Sequence, residues 1–318
     1  MGDTAISVRG LSKRFARTLA LDDVSLDIPQ GSLYGLLGPN GAGKTTVFSI
    51  AAGFLTATAG TIHVLGIDVR EISRLRGRFS MLPQDAAFQA GIPVIEQLVM
   101  FARLNGFGPG EARAVAMQAL AVVGLEDVGR RAARALSHGM AKRVALCQAF
   151  IGTPEVVLLD EPTSGLDPDS ARRMRELIRS MRGARTVVLS SHNLQEVQDL
   201  CDHVAILHKG RLMETGSMAD LTSSNFLLRL ALLKPLPEEV AAALRALPVV
   251  ELLELTGPQE FNLRLRLPSP AAKEGATKDI LATLARADIY PRSLFEGASL
   301  EARFLEITGG SYDGASST

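Results

Sequence analysis

The stretch Gly38-Pro39-Asn40-Gly41-Ala42-Gly43-Lys44-Thr45 constrains this chain more than any other, because it fits the pattern G-x-x-x-x-G-K-[ST]. That pattern carries weight only with the right flanks, and both are present. The apolar run 33–37 reads as a strand entering the loop, and 45–52 reads as a helix leaving it. Glycines let the backbone curl until its N–H groups point inward at phosphates, aided by the positive end of the helix. Lys44 is expected to reach the β- and γ-phosphates of ATP, and the Thr45 hydroxyl to ligate Mg²⁺. The nucleotide-contacting set is read as Gly38, Asn40, Gly41, Gly43, Lys44, Thr45 and the adjoining Thr46.

A strand–loop–helix unit of this kind commits the chain to an α/β fold, and the flanking sequence agrees. Short β-branched or leucine-rich runs, expected as strands, recur at 6–8, 24–28, 32–37, 61–64, 79–82, 156–159, 186–189 and 204–207. Between 91 and 151 strand patterns give way to helical ones such as 111–123, which predicts an all-helical insert. Beyond Gly216 the order changes to strand 226–233, helix 237–247, strands 249–255 and 261–267, helix 273–287 and strand 289–295. That βαββαβ order predicts a small ferredoxin-like domain. The expected domains are therefore 1–220 and 221–308, with a Gly/Ser/Thr-rich tail at 309–318 expected to be disordered.

A second chemical feature stands at the end of the run Val156-Val157-Leu158-Leu159-Asp160-Glu161. Strand ends at the carboxyl edge of an open α/β sheet are where ligands bind. Asp160 suits Mg²⁺ held through water. Glu161, pointing elsewhere, suits the general base that polarises an attacking water.

The stretch Leu136-Ser137-His138-Gly139-Met140 then resembles the signature of ABC ATPases, and it lies ahead of the acidic pair as in that family, at the start of a helix expected over 142–151. Other motifs of the family occur in order. Gln84, in Met81-Leu82-Pro83-Gln84, is similar to the Q-loop; Ser164-Gly165-Leu166-Asp167 resembles the D-loop; His192, in Ser190-Ser191-His192-Asn193, resembles the switch histidine. Phe15 is similar to the aromatic that stacks on adenine. The resemblance spans about residues 5–220. It implies a P-loop ABC ATPase core with an antiparallel β subdomain and the helical subdomain. It further implies that two such domains sandwich ATP head to tail. Ser137 and Gly139 would contact the γ-phosphate held by the other subunit, and Asp167 would join them among the nucleotide-contacting residues. His192 would hydrogen-bond that phosphate. Gln84 would act in catalysis and at Mg²⁺. The signature departs from the family at His138, usually Gly, and at Met140, usually Gln. A restricted backbone at His138 is expected to be tolerated, since Ser137 and Gly139 are kept.

What such a motor would drive is suggested by what is missing. No run approaches the ~18 apolar residues of a membrane span, although the mean hydropathy is +0.17. The resemblance therefore implies a transmembrane permease on a separate chain, met through Gln84 and the helical insert, with the ATPase pairing as a homodimer or with a paralogue. The start Met1-Gly2-Asp3-Thr4 lacks the basic and apolar parts of a signal peptide, so a cytoplasmic protein, peripheral on the inner face of the membrane, is expected. Cys147 and Cys201 are expected to be buried thiols. With 34 basic and 34 acidic residues no global field favours nucleic acid, and none is expected as partner. DNA-repair relatives would need coiled-coil arms between Thr45 and Leu136, and translation factors a second cassette. The loop and the stretch 299–306 resemble exporters of drugs, sodium ions or polysaccharides; an importer, or a non-transport ATPase, is the alternative reading.

Overall fold

The computed structural model describes residues 3–223, 226–267, 272–297, 300, 303 and 304. The described residues up to Thr215 form one compact unit and those from Gly216 onward another.

The first unit opens with two long strands, β1 (Thr4–Phe15) and β2 (Thr18–Pro29), paired antiparallel. β3 (Leu33–Leu37) follows, buried along its whole length, and leads through the glycine loop into α1 (Lys44–Ala51). β4 (Ala59–Val64) and β5 (Ile67–Asp68) complete a four-stranded sheet of order β2-β1-β4-β5. β6 (Phe79–Leu82) then precedes the insert, built from α2 (Val94–Leu104), α3 (Pro109–Val122) and α4 (His138–Ala149). Val94, Leu98 and Ala102 recur on one side of α2 at helical spacing and are buried with Ala112, Ala116 and Leu120 of α3. The insert thus has an apolar core of its own.

The chain returns through β7 (Val156–Asp160), α5 (Pro168–Arg179), β8 (Thr186–Ser191), α6 (Leu194–Leu200), β9 (His203–His208) and β10 (Arg211–Ser217). With β3 and β6 these strands form a six-stranded sheet of order β10-β9-β3-β8-β7-β6. β9, β3, β8, β7 and β6 run parallel. β3, β7 and β8 have no exposed residue, as expected of central parallel strands covered on both faces. Their carboxyl ends lie side by side, with Leu37 beside Ser191 and Asp160 beside Ser190.

In the second unit α7 (Met218–Ser223) precedes β11 (Phe226–Leu232), α8 (Glu238–Arg245), β12 (Val250–Gly257), β13 (Glu260–Leu265), α9 (Lys273–Arg286) and β14 (Pro291–Gly297). The sheet order is β12-β13-β11-β14 with antiparallel pairs, which is the split βαβ arrangement the element order predicts. Leu228, Leu230, Phe261, Leu263, Ile280 and Leu284 form its core.

Five elements are not placed by the sequence patterns: β5, α5, α6, β10 and α7. The helix expected at 142–151 instead begins at His138, because the Ser137 side chain caps it there. Of the closing stretch 299–306 only Leu300, Arg303 and Phe304 are described, with Leu300 and Phe304 buried. The tail 309–318 lies outside the described residues. Cys147 and Cys201 are free and buried, and burial pushes both thiols above their ordinary range.

Candidate functional site at the carboxyl edge of the central sheet

The glycine loop is packed too tightly for side chains at two of its positions. A Cβ on Gly38 would stand 2.4 Å from the Leu207 carbonyl oxygen, and one on Gly43 2.7 Å from Leu21 Cδ2. Gly43 also has φ 107°, a conformation L side chains rarely adopt, and it caps α1 without a side-chain hydrogen bond. The first turn of α1 carries no acidic residue. Its N–H groups and helix dipole therefore form an anion cradle. Asn40 and Thr45 are exposed at the rim and Thr46 is half-buried.

Lys44 is buried and bent back onto the loop. Its Nζ donates to the carbonyls of Gly38 at 2.7 Å and Pro39 at 3.3 Å. It also lies 3.4 Å from Glu161 Oε1. Burial pulls the ammonium pKa below the usual lysine range, with the Glu161 and Asp160 charges opposing. The same Glu161 Oε1 is 3.1 Å from His192 Nδ1, so one carboxylate oxygen is shared by Lys44 and the histidine.

The acidic pair owes its geometry to one backbone twist. Glu161 has φ 47°, in the left-handed region, so its side chain leaves β7 in a direction different from that of Asp160. Ser190, at the end of β8, holds both residues: its Oγ accepts from Glu161 N at 2.9 Å and donates to Asp160 Oδ1 at 2.5 Å. Asp160 Oδ2 is buried with no hydrogen-bond partner among the described residues. A buried carboxylate oxygen left so is costly in a finished site, and it suits a cation with its bound water.

Ser137, Gly139 and Asp167 form a second group at the N-termini of α4 and α5. Ser137 Oγ accepts from Met140 N at 3.3 Å, and Asp167 caps α5 by accepting from Ser170 N at 3.0 Å. That backbone bond holds the Asp167 carboxyl below the usual carboxylate range. Gly139 is buried against α5, where a Cβ would stand 2.5 Å from Ser170 Oγ. His138 is exposed, with Nε2 3.8 Å from where a Gly165 Cβ would be. The first turn of α4, like that of α1, has no acidic residue.

Two further expected residues come from other segments of the chain. Gln84 is exposed, and its carbonyl oxygen accepts from Lys142 Nζ of α4 at 3.0 Å. Phe15, 42% exposed, carries Lys13 Nζ 5.0 Å from its ring centroid. The motif reading overlooked Ser190, Ser191, Thr163 and Glu196. The spacing Asn193-x-x-Glu196 beside His192 was the available signal, since it is the pattern of a helix start.

Comparison with known proteins agrees with this layout. The ABC transporter family model matches residues 21–164. A daunorubicin resistance ATP-binding protein of Streptomyces coeruleorubidus is 35% identical, over 97% of this chain and 97% of its own. The Nod factor export ATP-binding protein I of Paraburkholderia xenovorans is 31% identical over 97% and 98%. A solved ATP-binding subunit of an ABC transporter superposes with TM-score 0.62 and 27% identity, covering 69% of this chain and 92% of its own. No helix among the described residues is long and apolar enough to cross a membrane. The chain belongs to the ABC transporter family and is one of its ATP-binding, ATP-hydrolysing subunits.

Proposed function

We propose that this subunit works in export, closing head to tail on a second ATPase copy and driving a permease carried on another chain at the inner face of the membrane. The observation that carries the reading is the end-to-end match, second unit included, to a drug-resistance and an export ATP-binding protein.

ATP phosphates lie in the Gly38–Gly43 cradle, with Asn40 and Thr46 at its rim and the adenine against Phe15. Lys44 exchanges Glu161 for the phosphate oxygens. Mg²⁺ would be held by Thr45, Gln84 and, through water, the free oxygen of Asp160, and it would neutralise charge on the β- and γ-phosphates. Glu161, released from Lys44, accepts a proton from the attacking water, and His192 orients that water and the γ-phosphate. Ser137 and Gly139, with the open first turn of α4, complete the same phosphate from the other subunit, beside Asp167.

Co-expression with a candidate permease tests the assignment. The subunit should pellet with membranes only when the permease is present, and inverted vesicles should then hydrolyse ATP faster with transported compound added. Stable co-purification with ribosomes or DNA instead would overturn it.

A further inference from the structure

Glu196 is a carboxylate that the steps above do not use, and it is buried at 5% exposure. Burying a carboxylate costs several kcal/mol unless its oxygens find donors. Here both do. Oε1 accepts the Thr163 hydroxyl at 2.5 Å and Oε2 accepts the Ser191 hydroxyl at 2.7 Å.

The position makes this more than a helix cap. A glutamate at the third position of a helix ordinarily turns back to the N–H of the capping residue. In α6 that N–H, of Asn193, is taken by Ser191 Oγ at 3.0 Å, while Asn193 Oδ1 accepts from Glu196 N at 3.0 Å. Glu196 is thereby free to bridge. On one side it grips the chain just past Glu161, and on the other the residue immediately before His192. Ser190 makes the companion link one position earlier, between Asp160 and the Glu161 N–H. Glu161 itself sits in a left-handed conformation that surrounding bonds must hold.

We propose that Glu196 is a positioning residue for hydrolysis: through Thr163 and Ser191 it fixes the two backbones whose side chains, Glu161 and His192, meet at 3.1 Å. This rests on reading Glu161 and His192 as the hydrolytic pair. The phosphate loop makes no bond to Glu196 in this network, so binding and turnover should separate.

The test uses the full chain with steady-state phosphate release, titration of a fluorescent ATP analogue, and melting. Glu196→Ala should lower kcat about 10- to 100-fold, with nucleotide affinity changed less than about twofold. Glu196→Gln should recover part of the rate, since its amide oxygen accepts one hydroxyl and its NH₂ can donate to the other. In a His192→Ala background the same Glu196→Ala change should cost less than about threefold, because residues acting as one unit are not additive. Thr163→Val, which removes one hydroxyl, should give a smaller loss of the same kind if Glu196→Ala fails to fold. A wild-type kcat in Glu196→Ala, equal losses of kcat and affinity, or full additivity with His192→Ala would each overturn the proposal. Full activity in Glu161→Gln or His192→Ala would instead remove the hydrolytic pair, and this proposal with it.

Discussion

Replacing Glu161 with Gln should move nucleotide binding and nucleotide turnover in opposite directions, and the reason lies in the pairing of Lys44. The ammonium is 3.4 Å from Glu161 Oε1, with both side chains under 10% exposed. At that separation and an effective dielectric constant of about 20, the pair attracts by about 5 kcal/mol, as an upper bound. An arriving phosphate must draw the ammonium away and brings negative charge towards Glu161. Glutamine keeps the shape and removes the competing charge. The ammonium must still leave the Gly38 and Pro39 carbonyls in the variant, and the glutamine amide oxygen can still accept from it, so only a fraction of that attraction is recovered. A residual gain of about 1 kcal/mol, or about fivefold tighter ATP binding by a single subunit, is the expected outcome.

Turnover should fall by about 10²- to 10⁴-fold in the same variant, because the amide cannot take the proton. Titration of a fluorescent ATP analogue at low protein concentration reads the first quantity, phosphate release the second. Gel filtration with ATP should show a trapped dimer. His192→Ala supplies the contrast: it leaves the Lys44–Glu161 pair intact, so it should slow hydrolysis without tightening ATP. Equal or weaker ATP binding by Glu161→Gln would refute the competition between carboxylate and phosphate. Turnover within tenfold of the wild type would refute Glu161 as base.

Lys44→Ala should weaken ATP binding by about tenfold or more, as a charge-assisted contact to phosphate is lost; unchanged affinity in the same titration would remove that role. Gly139→Ala should lower stability by about 1–2 kcal/mol although alanine favours helix, because its Cβ would lie 2.5 Å from Ser170 Oγ. Adding Ser170→Ala should return most of the loss on melting, and a stabilised single variant would show that the helices part easily. Asp68, which caps the turn after β5 and is paired with Arg70, has its carboxyl pulled down to about 2 by that side-chain bond. The folded pKa is below the unfolded one. The contribution is therefore present above about pH 4 and is lost as pH falls towards 2; NMR titration of Asp68 at an ordinary carboxylate pKa would contradict it.

How far the sequence reached depends on whether a feature is local. β3, the glycine loop and α1 are continuous in the chain, so strand, turn and helix signals reinforced one another and were read nearly to the residue. β7 was legible for the same reason, being apolar throughout and ending in charge. β10 alternates exposed and half-buried residues and holds no apolar run, so only its place beside β9 defines it. The start of α4 was misjudged because His138 and Gly139 lower helix propensity, while the cap that decides the matter is a single serine bond.

The same distinction governs the site. Motif residues proposed to touch ligand form short patterns and could be named. Residues that hold them are set by tertiary contacts between segments about 30 positions apart, as Ser190 to Glu161 and Thr163 to Glu196 are. At Gly139 the proposed phosphate role is not the whole reason for a glycine. Its phosphate role predicts a tight backbone approach from outside, yet the neighbour that already crowds a side chain there is Ser170 of the same chain. Glycine there first lets α4 and α5 start side by side. With both helix starts fixed in this way, the Ser137 hydroxyl and the Asp167 carboxylate would be offered together to the second subunit proposed above.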